Sequence, residues 1–373
     1  MVHLAGLPEK IRRTLEKLVA EMRIKENVYG IGLFGSWSRG EATTSSDIDL
    51  MILDNADFNT EYVERIELNG LFIDLDRVPK RWMNGPIPPE IDQKLYEMQI
   101  LYDRDWSLHN MKLLMAKSYA SPERVDIRTE AHVVNSDVYL SRATSAFSRE
   151  DFRSTHLSAA LALESILKVL VEIALEPFSN SRFVEKLEIS ATKLEMSDLF
   201  NEYLEITKLN RADDSTVKEK VRLFRMIWDE MKATVMHNPK EIESSHFRVK
   251  TKLNYYLNQA FLQGMIMRTN SLIESGRVAE ASHYLSSTFR DIVENYAWLK
   301  SSIEKIRIDH TTLMRSLEGL EEKSPKNYSC IVKFLDLGDT TKLNASGIIG
   351  KVREIVLKIR RERKILIKNY LLG

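Results

Sequence analysis

The chain has 373 residues, with 54 Lys and Arg against 54 Asp and Glu, 43% hydrophobic residues and a single cysteine. That length is about two to three times a typical domain, so at least two hydrophobic cores are expected. The lone Cys330 excludes a disulfide-stapled scaffold, and the low Gly and Pro content excludes collagen-like or disordered sequence. No apolar stretch follows a basic start, so no secretory signal is visible and a reducing cytoplasm is the expected compartment.

In chain order, residues 7–25 repeat apolar side chains at helical spacing through Ile11, Leu15, Leu18, Val19 and Met22. Residues 28–34 read as a short buried strand, and 47–53, 62–68 and 71–78 as three more. Asn69-Gly70 between the last two is a strong hairpin signal, so those two strands should pair antiparallel. These elements predict an α/β (α+β) domain with a mixed sheet. Beyond Gly85-Pro-Ile-Pro-Pro89 strand signals nearly vanish, and a largely all-α helical region is expected. Breaks near Tyr119 and Ser245 suggest three parts: 1–118 with the sheet, 119–245 helical, and 246–373 helical with a basic tail.

The most apolar stretch, 157–175, is interrupted by Glu164, Lys168 and Glu172. A spacing of four puts these charges on one helical stripe, where they can pair with each other, so this is a core helix rather than a membrane span, and no membrane partner is expected. Charge is uneven along the chain. Residues 1–106 hold 13 Lys/Arg against 19 Asp/Glu, whereas 342–373 hold nine against Glu354 and Glu362. The tail reads as an amphipathic helix whose cations are solvated, with nucleic-acid contact as the competing reading.

Gly30-Ile-Gly32-Leu-Phe-Gly35 matches the dinucleotide-binding pattern, with Asp49 and Asp54 further on. The context opposes it. The preceding strand would run through Lys25-Glu26-Asn27, and the following helix would contain Gly40 and a Thr/Ser run. The alternative treats Gly30 and Gly32 as small residues inside a strand that delivers Gly35-Ser36 into a turn. There the Ser36 hydroxyl and free backbone N–H groups can hold a triphosphate. Downstream, Asp47-Ile48-Asp49 opens a strand, and alternation puts both carboxylates on one face with Ile48 and Leu50 toward the core. Two carboxylates on one side suit a hard cation.

Here the chain resembles the nucleotidyltransferase superfamily typified by DNA polymerase beta. The residues that carry the resemblance are Leu33-Phe34-Gly35-Ser36-Trp37-Ser38-Arg39-Gly40, then Ser46-Asp47-Ile48-Asp49-Leu50-Met51-Ile52. The resemblance implies two-metal nucleotidyl transfer, with ATP the default donor, AMP moved to a hydroxyl and pyrophosphate released. Asp47 and Asp49 would hold two Mg²⁺ ions together with a third carboxylate. For that third position Phe72-Ile73-Asp74-Leu75-Asp76-Arg77 offers Asp74, favoured by its apolar flanks, or Asp76. Gly35 and Ser36 would take the β and γ phosphates, and Arg39 would neutralise the leaving group.

More loosely, the helical remainder resembles the acceptor-side domain of aminoglycoside-type members, where Glu164 could act as a base. The acceptor stays open between a small molecule, a protein hydroxyl and an RNA 3′ end, the acidic N-terminal part disfavouring RNA. A non-catalytic nucleotide-sensing or antitoxin-like module is the rival class. Arg277 and His283 match the Arg-spacer-His arrangement of helical ribonuclease domains, with a surface coincidence as the plainer reading. The eight histidines show no metal-ligand spacing with the one cysteine, and no Gly-x-x-x-x-Gly-Lys-Ser/Thr or Gly-x-Ser-x-Gly segment occurs.

Overall fold

The computed structural model describes residues 6–322 and 325–372. Its sheet comprises β1 (Val28–Phe34), β2 (Ile48–Asp54), β3 (Tyr62–Leu68), β4 (Leu71–Pro79) and β5 (Gln99–Asp103), in the order β3-β4-β2-β1-β5. The expected hairpin is present. Leu68 pairs with Leu71, and Asn69 and Gly70 adopt φ of 55° and 66°, the left-handed pair that a two-residue turn of this twist requires. The strand β5 was not legible in the sequence. Its five residues are all half-buried with no alternation, and it pairs with β1 at the sheet edge.

Alternation along β2 feeds two cores. Ile48, Leu50 and Ile52 meet Ile11, Leu15 and Leu18 of α1 (Glu9–Met22) on one face. Met51 and Leu53 meet Leu95 of α3 (Asp92–Glu97) and Leu108 and Met115 of α4 (Ser107–Ser118) on the other. The two strand glycines serve this second face. A Cβ on Gly30 would lie 2.5 Å from Leu108 Cδ1, and one on Gly32 2.3 Å from Met98 Sδ. The dinucleotide-binding alternative is excluded by topology, because β1 runs antiparallel to β2 and only the five-residue α2 (Gly35–Arg39) begins the connection between them.

By contact the chain forms two units. One comprises Met1–Ser121 with His246–Arg268, the other Pro122–Ser245 with Thr269–Gly373. Residues 246–268, read from the sequence as the start of a third part, thus belong with the sheet. Phe247 packs edge-on against Tyr62 at 5.4 Å, and the Asn258 side-chain amide donates to the Arg65 carbonyl of β3 at 3.0 Å.

The second unit is built on the hairpin of α5 (Pro122–Ser148) and α6 (Phe152–Ile173), against which the C-terminal helix Lys342–Leu372 packs. Asp151 caps α6 by accepting from the Ser154 N–H at 3.0 Å. Among the described residues no helix is long and apolar enough to cross a membrane. The charge stripe of α6 pairs differently from expectation. Glu164 takes Lys168 at 3.2 Å and Arg290, but Glu172 goes to Arg128 at 2.6 Å and His132 at 3.5 Å on α5. In the basic tail Arg360 reaches Asp137 at 2.6 Å and the buried Arg363 reaches Asp126 at 2.9 Å, so these two cations are engaged within the unit.

His283 lies inside this unit, stacked on Phe183 with ring centroids 4.9 Å apart, its Nδ1 2.9 Å from the Tyr203 hydroxyl. Arg277 instead pairs with Glu185, so the two residues of the ribonuclease-like spacing serve separate contacts. Burial pushes the His283 imidazole down to about 4, aided by Arg290 and Lys168 and partly offset by Glu164. The unfolded side chain takes its proton near 6.5, so the stabilisation from His283 is complete above that pH and is lost as pH falls toward 4. Glu280 works oppositely: burial lifts its carboxyl to about 7, so its contribution is present below 4.5 and lost as pH rises through 7. Comparing urea midpoints of wild type and His283→Leu isolates the histidine. The stability gap should narrow on going from neutral to mildly acidic buffer, and a constant gap would contradict a buried neutral imidazole.

Candidate active site

Strand register assembles the site. Parallel β2 and β4 set Asp49 opposite Asp74, antiparallel β3 sets Arg65 opposite Asp74, and antiparallel β1 sets Phe34 opposite Asp49. Directly paired residues share a sheet face, so Arg65, Asp74 and Asp49 form one row. Asp47 precedes β2 by one residue. Gly35 follows Phe34, so the turn begins where the row ends.

Gly35 is tied to that place by its conformation and its neighbour. Its φ is +73°, and a Cβ there would lie 2.3 Å from Asp49 Oδ2. Gly35→Ala should therefore lose about 1 kcal/mol or more to left-handed strain, and should also displace the Asp49 carboxylate. Urea unfolding and nucleotide titration check this; unchanged values in both would show that the turn has room.

Asp47 and Asp74 are already compensated. Arg65 donates to both oxygens of Asp74 at 2.6 Å each and to Asp47 Oδ2 at 2.5 Å, and Arg268 donates to Asp47 Oδ1. The Tyr255 hydroxyl donates to Asp74 Oδ2 at 2.9 Å, and Arg65 lies over the rings of Tyr255 and Phe261. Such clamping is needed, because several buried carboxylates without a cation would cost several kcal/mol. Burial alone would raise the Asp47 carboxyl, but Arg268 and Arg65 outweigh it and hold it at about 2. No guanidinium hydrogen-bonds to Asp49 among the described residues. Burial, reinforced by the negative charge of Asp47 and Asp74, pushes its carboxyl well above the usual range.

Asp76 takes a separate partner. It pairs with Lys94 of α3, which also holds Glu61 at 2.9 Å, and burial raises its carboxyl to about 6 against the pull of Lys94. The turn has an internal partner too. Glu97 Oε1 accepts from the Gly35 N–H at 2.7 Å, while its Oε2 takes Arg39 at 2.6 Å; Arg39 also reaches Glu41 at 3.1 Å.

Residues 13–99 match the nucleotidyltransferase domain family. A Methanocaldococcus jannaschii protein whose name provisionally assigns it protein adenylyltransferase activity is 37% identical over 84 residues, 21% of this chain and 82% of that protein. The chain belongs to the nucleotidyltransferase family, of the DNA polymerase beta type. A solved nucleotidyltransferase-like protein of Exiguobacterium sibiricum 255-15 overlaps 79% of this chain and 89% of its own at 12% identity, with a TM-score of 0.33, too loose a likeness to bear weight.

Nucleotidyltransferases commonly work with divalent metal. As the side chains stand, no three acidic, imidazole or thiol groups among the described residues are gathered closely enough to hold an ion. The donor set nonetheless fits one in kind. Asp47, Asp49 and Asp74 would offer hard oxygen donors, and the Arg65 and Arg268 guanidiniums now supply the positive charge an ion would bring.

Four residues of this arrangement were missed by the sequence reading: Arg65, Tyr255, Arg268 and Glu97. Arg65 was within reach, since a two-residue turn at Asn69-Gly70 fixes its pairing with Asp74 by counting back. Tyr255 and Arg268 lie roughly 180 to 220 residues away along the chain, and no local pattern marks them.

Proposed function

We propose that this nucleotidyltransferase moves AMP from ATP to a hydroxyl group of a protein, releasing pyrophosphate. The observation supporting the reading is the in-register pair Asp49 and Asp74 on parallel strands, with Asp47 beside them and Gly35 against Asp49. The protein acceptor is suggested by the name of the archaeal relative.

In this reading Asp47, Asp49 and Asp74 would hold Mg²⁺, two ions in the family's usual scheme, which when bound would neutralise triphosphate charge and lower the acceptor hydroxyl's pKa. Gly35 and Ser36 receive the β and γ phosphates, which requires Glu97 to leave the Gly35 N–H. Arg39, released from Glu97 by the same movement, turns to the leaving pyrophosphate. Arg65 and Arg268 give up Asp47 and Asp74, so that charge on the carboxylates is exchanged rather than exposed. Asp74 positions the acceptor hydroxyl and takes its proton as the oxygen attacks the α phosphorus. The bond to the β phosphate then breaks, and pyrophosphate carries away the electron pair.

The test is incubation with α-labelled ATP and Mg²⁺, with and without a cell extract, following label into protein, RNA and small-molecule fractions. Label in protein that is absent with γ-labelled ATP supports the reading. Label in RNA would reassign the acceptor to a 3′ end. A nucleotide-sensing module is the second reading, favoured by the arginines on Asp47 and Asp74. It would be upheld by tight ATP binding with no label transferred to any fraction.

A further inference from the structure

The second unit contains a cavity of about 100 Å³ lined by its own residues. Lys208, Lys220 and Arg290 line it, with His156 and His283, and Asp336 is the one carboxylate among its lining side chains. Its charge is therefore positive in surplus. The partners already in place do not cancel that surplus. Lys220 pairs with Asp336 at 2.8 Å and donates to Ser286 at 3.2 Å; Arg290 gives one terminal nitrogen to Glu164.

Two further donors are shielded from solvent and have no hydrogen-bond partner, the Nε of Arg290 and the Nε2 of His156. Buried polar nitrogens without partners are costly, and native structures usually supply them with one. Burial, with the neighbouring charge of Lys208, keeps the His156 imidazole neutral, so Nε2 can carry a proton to donate. A second recess of about 460 Å³ shares Lys208 and Asp336 with the cavity and adds Arg153 and Lys333, balanced by Glu318 and Asp339, at its wall.

We propose that this cavity is a binding site for a phosphate-sized oxyanion, held by Arg290, His156 and Lys220. The space is too small for a whole nucleotide, since ligand pockets for molecules of that size run to several hundred Å³. A phosphate group needs N–H donors and net positive charge, and the residues lining the cavity carry both. The adjoining recess has room for the organic part of a phosphomonoester. The oxyanion is thus free phosphate or the phosphate of a small ester.

Thermal unfolding and calorimetry of the full chain, without added metal, test this with sodium phosphate, glycerol phosphate and chloride at matched ionic strength. Phosphate should stabilise the protein where chloride does not, as expected of a ligand that binds the folded state. Lys220→Gln and His156→Leu should each weaken binding about tenfold. Arg290 is left intact because its loss would strand the Glu164 carboxylate. Circular dichroism establishes that the variants fold, and either one suffices for the test. Tighter binding of glycerol phosphate assigns the outer recess to the ester's organic part, and equal binding identifies free phosphate as the ligand. No stabilisation by phosphate beyond chloride, or equal affinity in wild type and a folded variant, overturns the proposal.

Discussion

Asp49→Asn should lower nucleotidyl transfer roughly a thousandfold without destabilising the protein. Among the described residues no guanidinium hydrogen-bonds to Asp49, and burial beside Asp47 and Asp74 disfavours its charge. An uncharged amide of the same shape removes that repulsion, so the urea midpoint should stay or rise. A merely structural aspartate would behave the other way, losing stability and keeping activity. Assaying α-labelled ATP turnover beside urea unfolding separates the two, and an active, weakened Asp49→Asn would remove this residue from the reaction.

Arg65→Met should lose about 3 to 5 kcal/mol of stability, the usual consequence of removing one partner of a buried ion pair. Arg65 is buried and bridges Asp74 to Asp47, so its loss leaves two carboxylates short of a counter-charge. Methionine retains most of the volume, which limits the cavity contribution. Mg²⁺ should return part of the loss, because an ion bound by the same carboxylates replaces the missing charge. Denaturation with and without MgCl₂ measures this. Equal Mg²⁺ stabilisation of wild type and variant would place the ion elsewhere, and a variant as stable as wild type without metal would show that Arg65 is not the counter-charge.

Local rules were enough for the strands β1 to β4 and the turn at Gly35, because alternation, a two-residue hairpin and a glycine at positive φ all act within a few residues. The same rules put Asp47 and Asp49 on one face with Ile48 and Leu50 on the other. What escaped them depends on distant chain. β5 has no alternation of its own and is defined by its pairing with β1. The choice between Asp74 and Asp76 rested on flanking apolar residues, whereas in the fold Asp74 faces Asp49 in register and Asp76 is held by Lys94. The pairing of Glu172 with Arg128 and His132 could not be read from α6, because its partners sit on the neighbouring helix.

The sheet unit is completed by residues 246–268, which are synthesised well after the first 121. Until they emerge, the nascent chain exposes β3 as a bare edge, its Arg65 carbonyl lacking Asn258 and the Asp47 and Asp74 carboxylates lacking Arg268 and Tyr255. Folding of this unit must wait on translation past the whole intervening helical stretch, and its long loop closure favours slow completion. A ribosome stalled before residue 246 would therefore hold an aggregation-prone chain, and an expression boundary drawn at residue 121 would leave the sheet unit incomplete in the same way.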